Sequence, residues 1–453
     1  MRAFENIQVA DAPRSARVPS SSIRLTIVMT HPAQYFAPWF RYIAANCPEL
    51  ELTVLYATAP TPAQQGVGFG KAFAWDVPLT DGYRCRVVRP PHETVNVHSD
   101  QFWGVNVPEI ADAIRQTQPD VVLIGGWHSV TQLRALWACR RMGIPVLYRG
   151  DTNLNSAPAG WRKPVWEIKT GFLLRRFDGF LAVGTRATEY LRHFGVAADR
   201  IFASPHCVDN EFFARSAAEF QTPAGRTAAR AAFGLEAEDF VVLFAGKLER
   251  KKRPLDLIRA LAENQNERQR DGGTEGRSNS SPNRSIPRSL SLREASCAFV
   301  EGKQISLLVA GAGPLEADCR AEAERLGVRA VWAGFLNQSE IVRAFAVADC
   351  LVLPSESETW GLAVNEALAV GLPCIVSDRV GCAPDLIVPG KTGKVFPMGD
   401  VSALRAAIGR VRDRIHSGHR YDAACRAKAE AHSFAAATNG LLAACRAIIR
   451  SGA

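Results

Sequence analysis

Short apolar runs alternate with amphipathic segments along most of the chain. Most of these runs are not interrupted by polar residues, which is typical of parallel strands that are covered on both faces. The segments between them place apolar residues at helical spacing. The predicted strands are 24–30, 51–56, 120–124, 145–149, 179–183, 240–245, 305–310, 331–334, 349–353 and 373–377. The repeated strand–helix alternation predicts an α/β fold built on parallel sheets.

At 453 residues the chain is too long for one ordinary core. We predict two Rossmann-like parallel-sheet domains that face each other across a cleft. The first domain is expected at 22–215 and the second at 230–415, with the link between them at about 211–230. Helices in 416–453 complete the chain, and the last of them, 434–449, is expected to cross back onto the first domain.

Three segments lack the alternating pattern. Residues 1–21 mix small, polar and proline residues and are expected to form a disordered leader. Residues 264–303 are rich in serine and arginine and are expected to form a low-complexity insertion within the second domain. The long irregular region 57–105 is interpreted as a flap over the first domain's site, because long loops in compact domains are usually functional.

Composition limits the class of protein. Hydrophobic residues make up 47% of the chain and charged residues 22%, as in globular proteins, and the net charge is +9. No nucleic-acid module is recognised, so we expect no nucleic-acid partner. We find neither a secretion signal nor an apolar run long enough to cross a membrane. We expect a cytoplasmic protein, and the positive charge also allows peripheral contact with the inner face of a membrane.

The cysteines and histidines do not form a pattern typical of a metal site. The 11 cysteines are scattered without a C-x-x-C pair, and most lie in apolar segments. Reduced, buried thiols are the expected state. His416 and His419 lack cysteine partners and are interpreted as surface residues.

Two glutamates flank the start of a predicted helix that begins at Gly361. Glu358 lies in the loop after the strand 349–353, and Glu366 lies inside the helix. Gly361 and Leu362 stand where the helix begins, and free N–H groups at a helix start favour anions. This stretch therefore predicts a site for a ligand with a phosphate and several hydroxyls.

A basic turn follows the strand 240–245. Gly246 ends that strand, and five of the seven residues from 247 to 253 are basic. Such a turn can be an ordinary solvated surface, but its place at the carboxyl end of a parallel strand is where α/β sheets bind ligands. Lys247 and Lys252 are the candidates for holding a diphosphate.

Polar residues also follow three strands of the first domain. His31 follows 24–30, His128 follows 120–124, and Asp151 follows 145–149. We interpret His128 as a cleft residue and His31 and Asp151 as contacts to a second substrate; a structural role in the loop is the alternative for each.

These motifs closely resemble those of glycosyltransferase family 4, retaining enzymes of the two-domain GT-B fold. The resemblance implies that Glu358 contacts the donor sugar, Glu366 holds the ribose, and the backbone near Gly361 and Leu362 meets the diphosphate. A histidine near the strand end of His128 points at the sugar in that family. Lys247 replaces the family's arginine.

Two further segments resemble the same family. Gly313 belongs to a G-x-G-P turn after the strand 305–310, and Phe335 and Leu336 stand where the family places backbone groups against the nucleotide base. Asp385 stands at the acidic position of another family turn. In contrast, the first domain has HPAQYF at 31–36 in place of the usual Gly-Gly pair.

The resemblance implies transfer of a hexose from a nucleoside diphosphate sugar to a hydroxyl of a glycan or lipid-linked acceptor, in polysaccharide or glycolipid biosynthesis. Glu358, His128, Lys247 and Lys252 are the expected catalytic residues. No cofactor beyond the sugar donor and no metal is expected, because lysines and a helix start can supply the positive charge. Two alternatives remain: a nucleotide-sugar 2-epimerase with the same fold, and a non-catalytic nucleotide-sugar binding protein.

Overall fold

The computed structural model describes residues 22–66, 70, 72–90, 101–262 and 304–452. The predicted leader at 1–21 and the predicted insertion at 264–303 lie outside the described residues, as does part of the predicted flap.

The first domain is built on a seven-stranded sheet. Its strands are β1 (Ile23–Met29), β2 (Leu50–Tyr56), β3 (Cys85–Val87), β4 (Val121–Ile124), β5 (Val146–Gly150), β6 (Gly179–Ala182) and β7 (Ile201–Ala203). Its helices are α1 (Ala37–Asn46), α2 (Pro62–Gly66), α3 (Ile110–Thr117), α4 (Val130–Met142), α5 (Arg162–Leu174) and α6 (Thr185–His193).

The second domain is built on a six-stranded sheet. Its strands are β8 (Phe240–Ala245), β9 (Ile305–Ala310), β10 (Ala330–Gly334), β11 (Cys350–Leu353), β12 (Cys374–Ser377) and β13 (Gly393–Phe396). The remaining helices are α7 (Asn210–Ala217), α8 (Pro223–Ala232), α9 (Pro254–Leu261), α10 (Glu316–Arg325), α11 (Gln338–Val347), α12 (Leu362–Val370), α13 (Ala383–Leu386), α14 (Val401–His416), α15 (Asp422–Glu430) and α16 (Phe434–Gly452).

Both sheets have the same parallel topology. The strand order is β3-β2-β1-β4-β5-β6-β7 in the first and β10-β9-β8-β11-β12-β13 in the second. In each sheet the order reverses beside the domain's first strand, between β1 and β4 and between β8 and β11. Ligands of such sheets bind at this reversal, beyond the carboxyl ends of the strands. The predicted pair of Rossmann-like domains is confirmed.

The central strands are buried because helices cover both faces of each sheet. Every residue of β8, β11 and β12 is buried, which explains their unbroken apolar sequences. The ten cysteines in the described part of the chain form no disulfide, and all but Cys85 are buried. Burial raises the pKa of several of these thiols, among them Cys47, to about 11.

The last helix, α16, lies on the first domain. Ala437, Leu441 and Cys445 join the core formed by β1 and α1. Trp39 donates a hydrogen bond to Thr438 Oγ1 at 3.0 Å. The crossing is close, because a Cβ at position 440 would lie 1.8 Å from the carbonyl oxygen of Ala203.

The segment predicted to link the domains, 211–230, is largely helical. It consists mostly of α7 and α8, which pack against α11 and α12 of the second domain. The buried Arg230 bonds Val347 O and the Asp349 carboxylate there, at 2.9 and 2.8 Å. These helices lack a strand between them, and their small apolar face is hard to distinguish from a polar linker by sequence pattern alone.

Candidate functional site

A cavity of about 840 Å³ lies between the two domains. Its wall on the first domain includes His31 after β1, His128 after β4 and Asp151 after β5. Its wall on the second domain includes Lys247 and Thr359. The structure therefore places the three predicted first-domain residues and one predicted lysine around the same space.

His128 is exposed toward this space, at the start of α4. The surrounding protein nevertheless lowers the pKa of its imidazole, an effect that Asp151 partly offsets. The side chain is therefore neutral at pH 7. The following Ser129 caps α4 with Gln132 in a capping box, which fixes the turn that presents His128.

Asp151 joins the two domains. Its carboxylate accepts a hydrogen bond from Thr359 Oγ1 at 2.7 Å, and Asn153 donates to the carbonyl oxygen of Thr359 at 3.1 Å. His206 lies 3.9 Å from the same carboxylate. Burial and Arg149 lower the pKa of His206 well below its usual value, so this contact is not an ion pair. Asp151 thus lines the cavity while helping to hold Thr359 in place.

Arg149 is a cavity residue that the sequence reasoning missed. It is 5% exposed, donates to Pro205 O at 3.1 Å, and lies 4.7 Å from the centre of the Trp39 ring. Burial lowers the pKa of its guanidinium, and its Nε has no hydrogen-bond partner among the described residues. The sequence did contain a signal for Arg149, because it is a charged residue at the end of an apolar strand.

The basic turn after β8 is only partly directed at the cavity. Lys252 contacts the Glu358 carboxylate, and both side chains are mostly buried. Lys251 pairs with Glu249 instead, at 3.3 Å. Burial and the neighbouring lysines lower the pKa of Lys247, which lines the cavity. The structure brings the predicted pair Lys252 and Glu358 together. Lys247 of the same turn lines the cavity, whereas the cavity lining does not include Lys252 or Glu358.

Two glycines predicted as donor contacts differ in their surroundings. A Cβ at Gly246 would meet no atom within 4 Å, so the backbone there is open. At Gly313 a Cβ would lie 2.6 Å from the carbonyl oxygen of Leu248. The conformation of Gly313 is therefore required to let the loops after β8 and β9 approach each other, a packing role for this position.

Helix α12 begins where the sequence predicts. Gly361 has a φ of +102°, which favours glycine, and no side chain caps this helix start. The first N–H groups, from Leu362 onward, have no partner within the helix. A Cβ at Gly361 would lie 3.1 Å from the Val380 side chain. Backbone donors and the positive end of the helix dipole are thus available for an anion.

Glu366 lies on the second turn of α12 and is partly buried. Burial raises the pKa of its carboxyl from 4.5 to about 7. Its carboxylate forms no hydrogen bond with the described residues. The charged form of such a glutamate is poorly solvated, so a hydrogen bond from a ligand hydroxyl would stabilise it.

Phe335 and Leu336 follow β10, and part of the predicted flap packs on Phe335. The Phe73 ring lies 4.3 Å from the Phe335 ring, centre to centre. The Asp76 carboxylate accepts hydrogen bonds from the N–H and hydroxyl of Ser339 at the start of α11. This segment of the first domain therefore reaches across the cleft and contacts the second domain beside the position predicted for the nucleotide base.

Asp385 also acts between the domains. Its carboxylate accepts hydrogen bonds from Thr185 N at 3.0 Å and Thr185 Oγ1 at 2.7 Å. Gly184, which precedes α6, has no capping side chain of its own. Asp385 therefore caps a helix of the first domain, a role that its sequence neighbourhood does not indicate.

The described residues contain no group of three or more histidine, cysteine or acidic side chains that could hold a metal ion. Nor does any helix in the described ranges have the length and apolarity needed to cross a membrane.

Two family models match the chain. The model for Glycosyltransferase Family 4 matches residues 48–212, and that for Glycosyl transferases group 1 matches residues 290–424. The chain belongs to glycosyltransferase family 4. The first match covers most of the first sheet, and the second includes the stretch with Glu358 and Glu366.

Curated relatives of this family 4 chain include D-inositol 3-phosphate glycosyltransferases. The one from Arthrobacter sp. (strain FB24) is 28% identical over 315 residues, covering 67% of this chain and 65% of that protein. The one from Pseudarthrobacter chlorophenolicus is 31% identical over 322 residues, covering 66% of this chain and 65% of that protein. Sulfoquinovosyl transferase SQD2 of Arabidopsis thaliana is 42% identical over 113 residues, only 20% of its length. The chain thus spans less than two thirds of these relatives.

Solved structures support the fold of the family. Sucrose-phosphate synthase from Thermosynechococcus elongatus superposes with a TM-score of 0.64 at 16% identity, covering 95% of this chain and all of that chain. Anabaena HepE, solved in complex with UDP and glucose, superposes with a TM-score of 0.63 at 13% identity, covering 93% of this chain and 98% of that chain. The two-domain architecture is therefore shared along nearly the whole length.

Proposed function

We propose that this protein is a retaining glycosyltransferase that moves a hexose from a nucleoside diphosphate sugar to a hydroxyl of a glycan or lipid-linked acceptor. The observation that supports it most is the shared cavity. There the second domain's Lys247, beside the Lys252–Glu358 pair, faces His31, His128 and Asp151 of the first domain.

The donor diphosphate would lie between the basic turn and the start of α12. Breaking the bond between sugar and diphosphate leaves negative charge on the leaving group, and preorganised positive groups stabilise that charge. Lys247, Lys252 and the N–H groups at the start of α12 supply such groups. Glu366 would accept hydrogen bonds from the ribose hydroxyls.

The sugar would lie toward the first domain. Glu358, held by Lys252, would accept a hydrogen bond from a sugar hydroxyl. His128, neutral at pH 7, can donate one hydrogen bond and accept another at the opposite side. The acceptor would enter the part of the cavity lined by His31 and Asp151. No metal is needed for this chemistry, because the lysines and the helix start provide the charge; this remains a prediction.

Donor binding and turnover test the proposal. We expect one of the nucleotides UDP, GDP and ADP to raise the melting temperature of the wild-type chain, and the sugar conjugate of that nucleotide to do the same. The reason is that a ligand that binds only the folded form stabilises it. We expect Glu358→Ala to reduce donor hydrolysis about 100-fold or more. A matched control is Glu356→Ala, since Glu356 is exposed in the same loop and pairs with Arg253.

Equal hydrolysis by the wild-type and Glu358→Ala proteins, together with normal nucleotide binding, would indicate a binding protein. Turnover of the free sugar nucleotide to an isomer without an acceptor would indicate an epimerase. No thermal shift with any of the nucleotides would contradict the proposal.

A further inference from the structure

Helix α5 has a row of large apolar side chains on its outer face. Trp161, just before the helix, is 78% exposed, and Val165, Ile168 and Phe172 are 59%, 75% and 48% exposed. With about 100° of rotation per residue, these four positions fall within roughly 60° of the helix surface. We call these four residues the α5 stripe.

The stripe does not belong to the core of the domain. The helix packs on the domain through its opposite side, where Thr170, Leu173 and Leu174 are buried. A surface helix normally turns its apolar side inward and its polar side to water. Here both sides are apolar, so the outer one requires its own explanation. Contiguous exposed apolar patches mark sites of interaction.

Positive charge surrounds the stripe. Residues 161–176 contain five basic residues and one acidic residue, Glu167. By the same helical rotation, Arg175 lies along one edge of the stripe and Lys169 and Arg162 lie along the other. An apolar row between cationic edges is the arrangement by which interfacial helices bind bilayers with anionic headgroups, the apolar side chains entering the acyl boundary.

We propose that the α5 stripe docks this protein onto the surface of an anionic lipid bilayer. The tryptophan at its start suits the interface, because an indole ring prefers the boundary between headgroups and acyl chains. The aromatic Phe172 is kept in position by Arg176, whose guanidinium lies 4.6 Å from the ring centre.

The stripe adjoins the interdomain cavity. Lys169 of α5 lines that cavity, and its Nζ lies 5.9 Å from the centre of the Phe102 ring, which lines it too. The next residue, Trp103, is 69% exposed. Docking through α5 would therefore bring the cavity's wall close to the membrane surface. If the proposed glycosyl transfer is correct, the acceptor hydroxyl belongs to a membrane-borne molecule.

A second copy of the chain fits the stripe less well. A two-fold dimer would place the same patch on both partners, so the cationic edges would face each other and repel. The stripe is a single row of side chains about 16 Å long, from 161 to 172. A stable dimer interface buries about 800 Å² on each partner, which is a wider surface than one such row provides. The observations therefore favour a bilayer as the occupant.

Flotation of the full chain with lipid vesicles tests the docking without any donor or acceptor. We expect binding to phosphatidylcholine vesicles that contain about one third phosphatidylglycerol and little binding to pure phosphatidylcholine. The double variant Val165→Gln/Ile168→Gln should lower the partition coefficient about ten-fold or more, because it removes two apolar side chains from the docked face. Arg162→Gln/Arg175→Gln should weaken binding and its dependence on salt.

Leu154→Gln is the matched control, because Leu154 is exposed and apolar but lies outside α5. It should bind vesicles as the wild-type chain does, and all variants should keep the wild-type melting temperature. Failure of the wild-type chain to float, or equal flotation of the α5 double variant, would overturn the proposal. So would sedimentation showing a wild-type dimer that Ile168→Gln dissociates. Flotation does not measure sugar transfer. A negative flotation result would therefore refute membrane docking without refuting the proposed glycosyl transfer, which donor binding and hydrolysis test separately.

Discussion

Glu366 offers a test in which stability and ligand binding change in opposite directions. Its carboxyl has a pKa of about 7 in the folded chain instead of 4.5, because burial disfavours the charged form. A carboxyl with a raised folded pKa favours folding fully below pH 4.5, and this contribution is lost as the pH rises toward 7. Above pH 7 the folded chain bears a poorly solvated charge.

The substitution Glu366→Gln removes this charge and keeps the shape. A rise of the carboxyl pKa from 4.5 to about 7 would destabilise the charged folded chain by roughly 3 kcal/mol at pH 8, and solvent at this partly buried position reduces that cost to about 1–3 kcal/mol. We therefore expect Glu366→Gln to be more stable than the wild-type chain at pH 8 and nearly equal to it at pH 5. In nucleotide binding we expect a loss of about ten-fold, because hydrogen bonds to a charged acceptor are worth roughly 1.5–3 kcal/mol.

Differential scanning calorimetry at pH 5 and pH 8, with and without the nucleotide, measures both effects. Glu324→Gln is the control, because Glu324 is exposed on α10. It should change neither the pH dependence nor the binding. A melting temperature difference that is the same at both pH values would refute the argument from burial. Unchanged nucleotide affinity would remove Glu366 from the donor site.

Three further substitutions test contacts between elements. Lys252→Gln should lower donor turnover and cost roughly 2–3 kcal/mol of stability, because it leaves a mostly buried carboxylate unpaired; chemical denaturation and donor hydrolysis check this. Asp385→Ala should cost about 1 kcal/mol through loss of the cap on Thr185, and a double-mutant cycle with Thr185→Ala should show coupling; additive costs would contradict the cap. Asp76→Ala should cost about 1 kcal/mol because the Ser339 N–H and hydroxyl lose their acceptor, and it should also weaken nucleotide binding. Unchanged affinity would show that the flap does not cover the base.

The fold could be predicted because its central strands are buried on both faces. An unbroken apolar run such as that of β8 strongly favours a buried parallel strand. The strands β3, β7 and β13 were not predicted, since pairings of three or four residues give almost no periodic signal. The sequence does not indicate the helices α7 and α8 within the predicted link for a related reason, because their stability comes from packing on α11 and α12.

The site was predictable only where its residues follow strands. His128 and Lys247 could be placed at one edge of each sheet by strand order alone. Contacts between domains have no such local signal: Asp385 and Thr185 are 200 residues apart, and Asp76 reaches Ser339 over 263. Likewise, the pattern of α5 predicts a helix but does not reveal which apolar side faces the core.

The contacts that join the domains explain why the cavity needs both of them. Trp360 is 3% exposed and donates to Asn365 at 2.8 Å, and Asn365 in turn donates to the carbonyl oxygen of His206 in the first domain at 3.1 Å. Buried hydrogen bonds of this kind are costly to leave unmade, so the relative position of the domains is well determined there. Trp360 follows Thr359 directly, and Glu358 precedes it. The loop that bears the proposed catalytic glutamate is therefore held by the first domain as well as by its own, and a change at this interface should alter turnover even though it touches no substrate.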